Sequence, residues 1–286
     1  IDIPDSRLAV SIAKLLKDRN VEYVVPNFKL HRLGQAFDVG AFQEQWALTK
    51  VRAQEAWTLA GNKGSRNITV AVIDTGVDYT HPALKNNAVA GYDYRDNDSD
   101  PMDLTGSQNP GHGTHCAGIV AGSGAIGTKD ANGYLWGLGV APGAHLVAQR
   151  IFDGAGDYYA PPSYEALTRD AVRSGAYVGS NSWGDDTQGR YDLSAAEFDA
   201  LVRDADARTP GEQPYILEFS AGNSGPGEQT IGSPAVAKKV IATGACQNDR
   251  FDLALYAEGA ETMADFSSRG PAEDGRIKPD ITAPGT

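Results

Sequence analysis

A chain of 286 residues, 41% hydrophobic and 22% charged, is long enough for one large α/β domain or two small ones, either with a sizeable core. Its 25 Lys and Arg against 37 Asp and Glu leave a net charge of −12, which argues against nucleic acid as a partner, because phosphate-backbone binding relies on clustered cations. No apolar run reaches the ~18–20 residues needed for a helical membrane span, and two cysteines, Cys116 and Cys246, make no disulfide framework.

The chain opens on Ile1 without a basic segment and apolar stretch of the export type, so any export signal is expected to have been removed already. Residues 5–19 predict an amphipathic helix, with Leu8, Ile12, Leu15 and Leu16 at helical spacing. Val21–Val25 predicts a strand that stops at Pro26-Asn27, and residues 31–45 have no sustained period and read as a linker. Beyond them, strands are predicted at Ile68–Ile73, Leu146–Ile151, Tyr177–Ser182, Tyr215–Ser220 and Val240–Thr243. Helices are predicted at Arg52–Leu59, around His115–Ala121, at Ser163–Arg173 and at Ser194–Ala207. Short apolar strands alternating with helices predict an α/β fold, a central parallel sheet with helices on both faces and functional residues at the carboxyl ends of its strands.

Three motifs fall at such ends. Val72-Ile73-Asp74-Thr75-Gly76 is a buried strand ending in a carboxylate. Asp-Thr-Gly also occurs in aspartic proteases, but those need two carboxylates sharing a proton, and this chain has one such motif in the wrong fold class. Gly111-His112-Gly113-Thr114-His115-Cys116-Ala117-Gly118 lets a helix pack closely and leaves His112 exposed at its start, while His115 reads as a core histidine. A metal-hydrolase reading of His112 and His115 fails on Gly113, which stands where a general-base Glu is needed. Phe219-Ser220-Ala221-Gly222-Asn223-Ser224-Gly225 presents Asn223 in a Gly-rich turn, suited either to a plain turn or to an amide aimed at an oxyanion. The acidic run Asp93–Asp100 alternates Asp96, Asp98 and Asp100, so an irregular turn could aim three carboxylates at a hard cation; Pro101 rules out an EF-hand.

In this order the motifs resemble those of the subtilisin-like serine proteases (subtilases). The likeness continues through Gly139–Ala144 (GVAPGA), Asn181-Ser182-Trp183-Gly184, Phe266–Pro271 (FSSRGP) and Lys278–Thr286 (KPDITAPGT), and extends over residues ~46–286. The resemblance implies a serine endopeptidase working through an acyl-enzyme, with Asp74 orienting the base, His112 as general base and acid, and Asn223 as oxyanion donor. It implies a primary specificity pocket walled by Ser182-Trp183-Gly184 and Ser220-Ala221-Gly222. The stretch around Gly154-Ala155-Gly156 becomes an edge to which extended peptide adds as a strand. The acidic run resembles the calcium loop of thermitase-like subtilases, with Asp93 as a further ligand to Ca2+. Ala83 stands where a second calcium site of the family uses Asp.

Two departures set further expectations. The nucleophile of the family belongs to a Gly-Thr-Ser-Met-Ala-type motif after Ala-Pro-Gly, and the sequence stops at Ala283-Pro284-Gly285-Thr286. Ser224, Ser267 and Ser268 are not in turns where the family places its serine. The chain is thus expected to be one piece of an enzyme whose remaining catalytic domain, possibly a second chain, is its partner. The alternative is a non-catalytic subtilase-like protein whose groove only binds peptide. The N-terminal helix and strand resemble the end of a subtilase propeptide, so the division expected is residues 1–31 propeptide-like, 32–45 linker with a processing point within 31–42, and 46–286 catalytic domain. Cys116 reads as a small buried hydrophobe.

Overall fold

Short runs of β-branched and small residues form the strands, and helices return the chain so that neighbouring strands run parallel. The computed structural model describes residues 12, 14, 15, 17, 31, 32, 45–104, 111–249 and 257–286. In chain order the elements are β1 His31–Arg32, α1 Trp46–Lys50, α2 Ala53–Ala60, β2 Thr69–Asp74, β3 Ala88–Asp93, α3 His112–Ala121 and β4 His145–Arg150. They continue with α4 Tyr164–Arg173, β5 Ala176–Asn181, β6 Trp183–Gly184, α5 Leu193–Leu201, β7 Ile216–Ser220, β8 Ile241–Cys246 and β9 Ile281–Pro284. Seven strands form one parallel sheet in the order β3-β4-β2-β5-β7-β8-β9, and β1 pairs separately with β6. The fold is α/β and subtilisin-like.

The order reverses at β2: the chain runs out through β3 and β4 on one side and then crosses to β5 on the other. Such a switch point opens a crevice at the carboxyl ends of the central strands. On one face, Ala71, Ile73, Val147, Leu217 and Phe219 pack against α4 and α5, with Trp183, Phe198 and Phe219 in mutual edge-on contact. On the other, Val70, Val72, Leu146 and Ala148 pack against Ala117 and Ala121 of α3. Beyond α3, and among the described residues, this second face is partly exposed. Val178, Ile216, Ser180, Glu218, Ile241, Ser220, Thr243 and Ile281 lie along it in register, and Ile216, Ile241 and Ile281 are 52, 42 and 58% exposed.

From residue 52 on, the predicted strands and helices appear, shifted by one to three residues, except that α5 stops at Leu201 rather than running to Ala207. There the chain turns, and the Ala205 amide bonds the Gln213 carbonyl. The edge strands β3 and β9 are additions. β3 contains Gly91, where a Cβ would meet Pro101 Cγ at 2.3 Å and the Ala148 carbonyl at 2.6 Å, so close packing replaced the apolar alternation that marks a strand. Of the predicted helix over 5–19, Ile12, Lys14 and Leu15 are described and are helical. The predicted strand Val21–Val25 lies outside the described residues, as does most of the linker.

Candidate active site

β2 ends in Asp74, 1% exposed, at the switch point. One of its oxygens, Oδ1, accepts the Thr75 amide at 2.7 Å and lies 2.7 Å from His112 Nδ1. Burial disfavours the imidazolium, but the charge of Asp74 and the hydrogen bond to it outweigh burial and push the His112 pKa well up. The other oxygen, Oδ2, is buried without a hydrogen-bond partner.

His112 opens α3, and its placement rests on how that helix end is held. The N-cap is Gly111, with φ +94°, which has no side chain to cap the free amides. Distant residues do this instead. Thr75 Oγ1 accepts the Gly113 amide at 2.9 Å, and Asp103 Oδ2 accepts the Thr114 amide at 3.0 Å and its hydroxyl at 2.6 Å. Thr75 in turn donates to Asp103 Oδ1 at 3.0 Å. Asp103 is buried and carries negative charge at a helix N-terminus, where it is favoured. The sequence reading missed it; the signal was an Asp a few residues ahead of a helix with no capping side chain.

The turn after β7 is held in a comparable way. Gly222 takes φ +115°, and a Cβ there would meet Ser268 Oγ at 2.7 Å, so this position requires glycine. Ser268, fully buried, accepts the Ser224 amide on Oγ at 3.0 Å and donates its own amide to the Gly222 carbonyl at 2.9 Å. Asn223 stands exposed at the turn. Ser267 Oγ accepts the Ala245 amide at 2.9 Å. Ser267 and Ser268 therefore fix turns, which accounts for the Phe-Ser-Ser run.

Of the expected pocket residues, Ser182 and Ser220 are half-buried, and Ala221 and Gly184 are buried. Trp183 is fully buried with its ring among Phe198, Phe219 and Tyr164, so its indole fills the core and only its main chain can serve as a wall. Gly154 and Gly156 lie in a tight turn closed by Asp153, whose Oδ1 accepts the Ala155 and Asp157 amides at 2.8 and 3.0 Å. β1 runs antiparallel along β6, His31 opposite Gly184 and Arg32 opposite Trp183. Cys116 Sγ donates to Ser182 Oγ at 3.5 Å and lies 4.0 Å from His112 Nδ1; burial pushes this thiol's pKa up. His115 is exposed, not the core histidine expected, because the helix turns it away from the sheet.

The acidic loop is organised around a guanidinium. Asp93, fully buried, pairs through Oδ2 with Arg150 Nη1 at 2.6 Å and accepts the Arg95 and Asp96 amides on Oδ1. Asp96 reaches the same Arg150 nitrogen at 3.4 Å, Asp98 accepts the Asp100 amide, and Asp100 accepts the Tyr79 hydroxyl at 2.6 Å. The four carboxylates are not gathered on one point. Among the described residues, Asp74, His112 and Cys116 alone form a group of His, Cys, Asp or Glu with ligand atoms within 4.8 Å of one another. Arg150 thus supplies the positive charge that Asp93 needs, while Asp96, Asp98 and Asp100 stay exposed as hard oxygen donors.

Among the described residues no helix is long and apolar enough to cross a membrane. Serine protease AprX of Bacillus subtilis (strain 168) is 36% identical over 227 residues, 77% of this chain and 46% of AprX. Minor extracellular protease Vpr of the same organism is 34% identical over 234 residues, 80% of this chain and 26% of Vpr. The chain therefore spans less than half the length of these curated relatives. Sphericase superimposes with a TM-score of 0.57 at 25% identity, covering 87% of this chain and 75% of that one. The model of the subtilase family matches residues 65–286, every element from β2 to β9, and the chain belongs to the subtilase family.

Proposed function

We propose that this chain carries two members of an Asp-His-Ser triad and the oxyanion amide of a secreted serine endopeptidase, the serine belonging to sequence beyond Thr286. The observation that carries the reading is the 2.7 Å contact between Asp74 and His112 Nδ1 at the switch point. With Nδ1–H donated to Asp74, Nε2 is the nitrogen that takes the serine proton during attack and returns it to the leaving amine. The Asp74 charge stabilises the imidazolium formed in between. Asn223, exposed at a rigid turn, supplies an amide N–H to the oxyanion. The main chain of Ser182–Gly184 and Ser220–Gly222 forms the pocket walls, with the Gly154–Gly156 turn at the rim.

Two further parts belong to the proposal. The N-terminal segment acts as a propeptide-like inhibitor, a reading supported by the pairing of β1 on β6. Structural Ca2+ binds at the acidic loop through Asp96, Asp98 and Asp100, with Asp93 contributing through its hold on the loop; donor chemistry alone supports this. The competing reading, a groove that only binds peptide, is separated by one experiment. A serine-directed fluorophosphonate should label the complete protein and fail to label its His112→Ala variant; absence of labelling in both would favour the binder.

A further inference from the structure

We infer that a hollow at the amino ends of the strands, opposite the catalytic end, binds a short acidic sugar, its ring on Trp57 and its carboxylate on Lys63. The hollow has a volume of about 370 Å³ and lies between α2, the turn that follows it and the turn at Asn132; this is the size of a small-molecule site. Its walls are held from outside. The Trp57 indole N–H donates to the Val140 carbonyl at 2.8 Å, and its ring meets Tyr134 edge-on. The Lys63 carbonyl accepts the Gly143 amide at 2.8 Å. Asp130 Oδ1 accepts the Tyr134 amide at 2.9 Å and so closes the turn that presents Asn132. Lys63 precedes β2, and the six residues of that strand, at about 3.3 Å each, put roughly 20 Å between its amino end and Asp74.

The chemistry of the walls selects the ligand. Among the described residues no carboxylate lines the hollow, although the chain carries a net charge of −12. Lys63 is exposed, has no ion-pair partner among the described residues, and rests its ammonium 4.9 Å from the centre of the Trp57 ring. A cation on an aromatic face is held weakly where water reaches it, so the side chain can swing to a bound carboxylate and uncover the ring. The side-chain amides of Gln54 and Asn132, also without partners among the described residues, offer donors and acceptors together, as sugar hydroxyls require. An aromatic face, two amides and one cation thus answer the C–H face, the hydroxyls and the carboxylate of a uronic acid. The net charge disfavours a long polyanion but not one carboxylate, because salt screens repulsion beyond about 8 Å. Asn132 also lines a second hollow, of about 360 Å³, with Trp46, Lys50 and Asp249. Lys50 there is already paired with Glu261, so this part takes a neutral sugar.

The test is calorimetric titration of the complete protein with the disaccharide glucuronosyl-glucose, with its neutral counterpart cellobiose, and with acetate as a bare carboxylate. Binding is read without turnover, so the result stands apart from the protease reading. Glucuronosyl-glucose should bind at least about tenfold more tightly than cellobiose, and acetate should give no measurable binding. Lys63→Gln should abolish the preference for the acidic sugar, and Asn132→Ala should weaken both sugars; both residues are exposed, so Tm should stay at the wild-type value. Four results would each overturn the inference: no binding of glucuronosyl-glucose, equal binding of cellobiose, equal binding of acetate, or undiminished affinity in both variants.

Discussion

Asp74 commits one oxygen to two donors, and that economy makes its substitution informative. In Asp74→Asn the amide can donate to His112 Nδ1, which moves the ring proton to Nε2 and leaves no acceptor for the serine. Turnover of a peptide substrate by the complete protein should fall about 10⁴-fold with little change in Tm; a fall under tenfold would mean that His112 is not the base. Glu218, on the partly exposed sheet face, allows a different measurement. Burial raises its pKa to about 7, against the opposing effect of the Thr243 hydroxyl and the Asn181 amide. Because the folded value lies above the unfolded one, the stability Glu218 contributes is full below about pH 4.5 and lost as pH rises through about 7. Glu218→Gln should flatten that decline and melt higher than wild type at pH 8, read by calorimetry on inhibitor-blocked protein. An unchanged pH slope would refute it. Asp74 was legible because it ends an apolar strand, and His112 and Asn223 because each stands in a local Gly-rich motif. Asp103 and Ser268 were not, because their partners lie 11 to 44 residues away and no local pattern encodes such a bond.

At the scale of the element, α3 shows what its glycines are for. A Cβ on Gly113 would come within 2.1 Å of the Gly76 carbonyl, a backbone atom that cannot rotate aside, whereas one on Gly118 would meet nothing within 4 Å. Gly113→Ala should therefore cost about 1–3 kcal/mol and also lower turnover by displacing His112 from Asp74. Gly118→Ala should be neutral or stabilising by up to about 1 kcal/mol, since alanine is the better helix former. Equal melting temperatures for the two variants would show that the close approach of α3 does not matter. The sequence revealed α3 by its run of small residues but placed its start late, at His115, since glycines around His112 look like a loop until distant caps are known. The acidic loop was read from its carboxylates alone, and the missing partner was Arg150, 57 residues from Asp93. If Asp96, Asp98 and Asp100 bind calcium, the ion should raise the Tm of the complete protein and chelator should lower it. A melting curve indifferent to both would mean that Arg150 alone holds the loop.

The partly exposed face of the sheet governs the behaviour of the whole molecule. Ile216, Ile241 and Ile281 lie on a strip whose other residues are Val178, Ser180, Glu218, Ser220 and Thr243. Fully burying one isoleucine is worth about 1.5–3 kcal/mol, so covering three half-exposed ones contributes several, a large part of the ~5–15 kcal/mol that keeps a domain folded. The strip is apolar toward the amino ends of the strands and polar toward their carboxyl ends, the end at which Asp74 lies. A covering helix would thus have its apolar end deep and its small or polar end beside His112, which is where the proposed continuation would deliver a nucleophile. Residues 1–286 made alone should bind a hydrophobic dye, associate in solution and melt over a broad range. The complete protein should bind no dye and melt cooperatively. Addition of the proposed continuation as a separate chain should restore the sharp transition, because on this proposal it covers the strip whether or not the backbone is continuous. A monomeric, dye-free 1–286 with a cooperative melt would mean that the strip needs no cover, and the proposal that a serine-bearing helix lies there would fail with it.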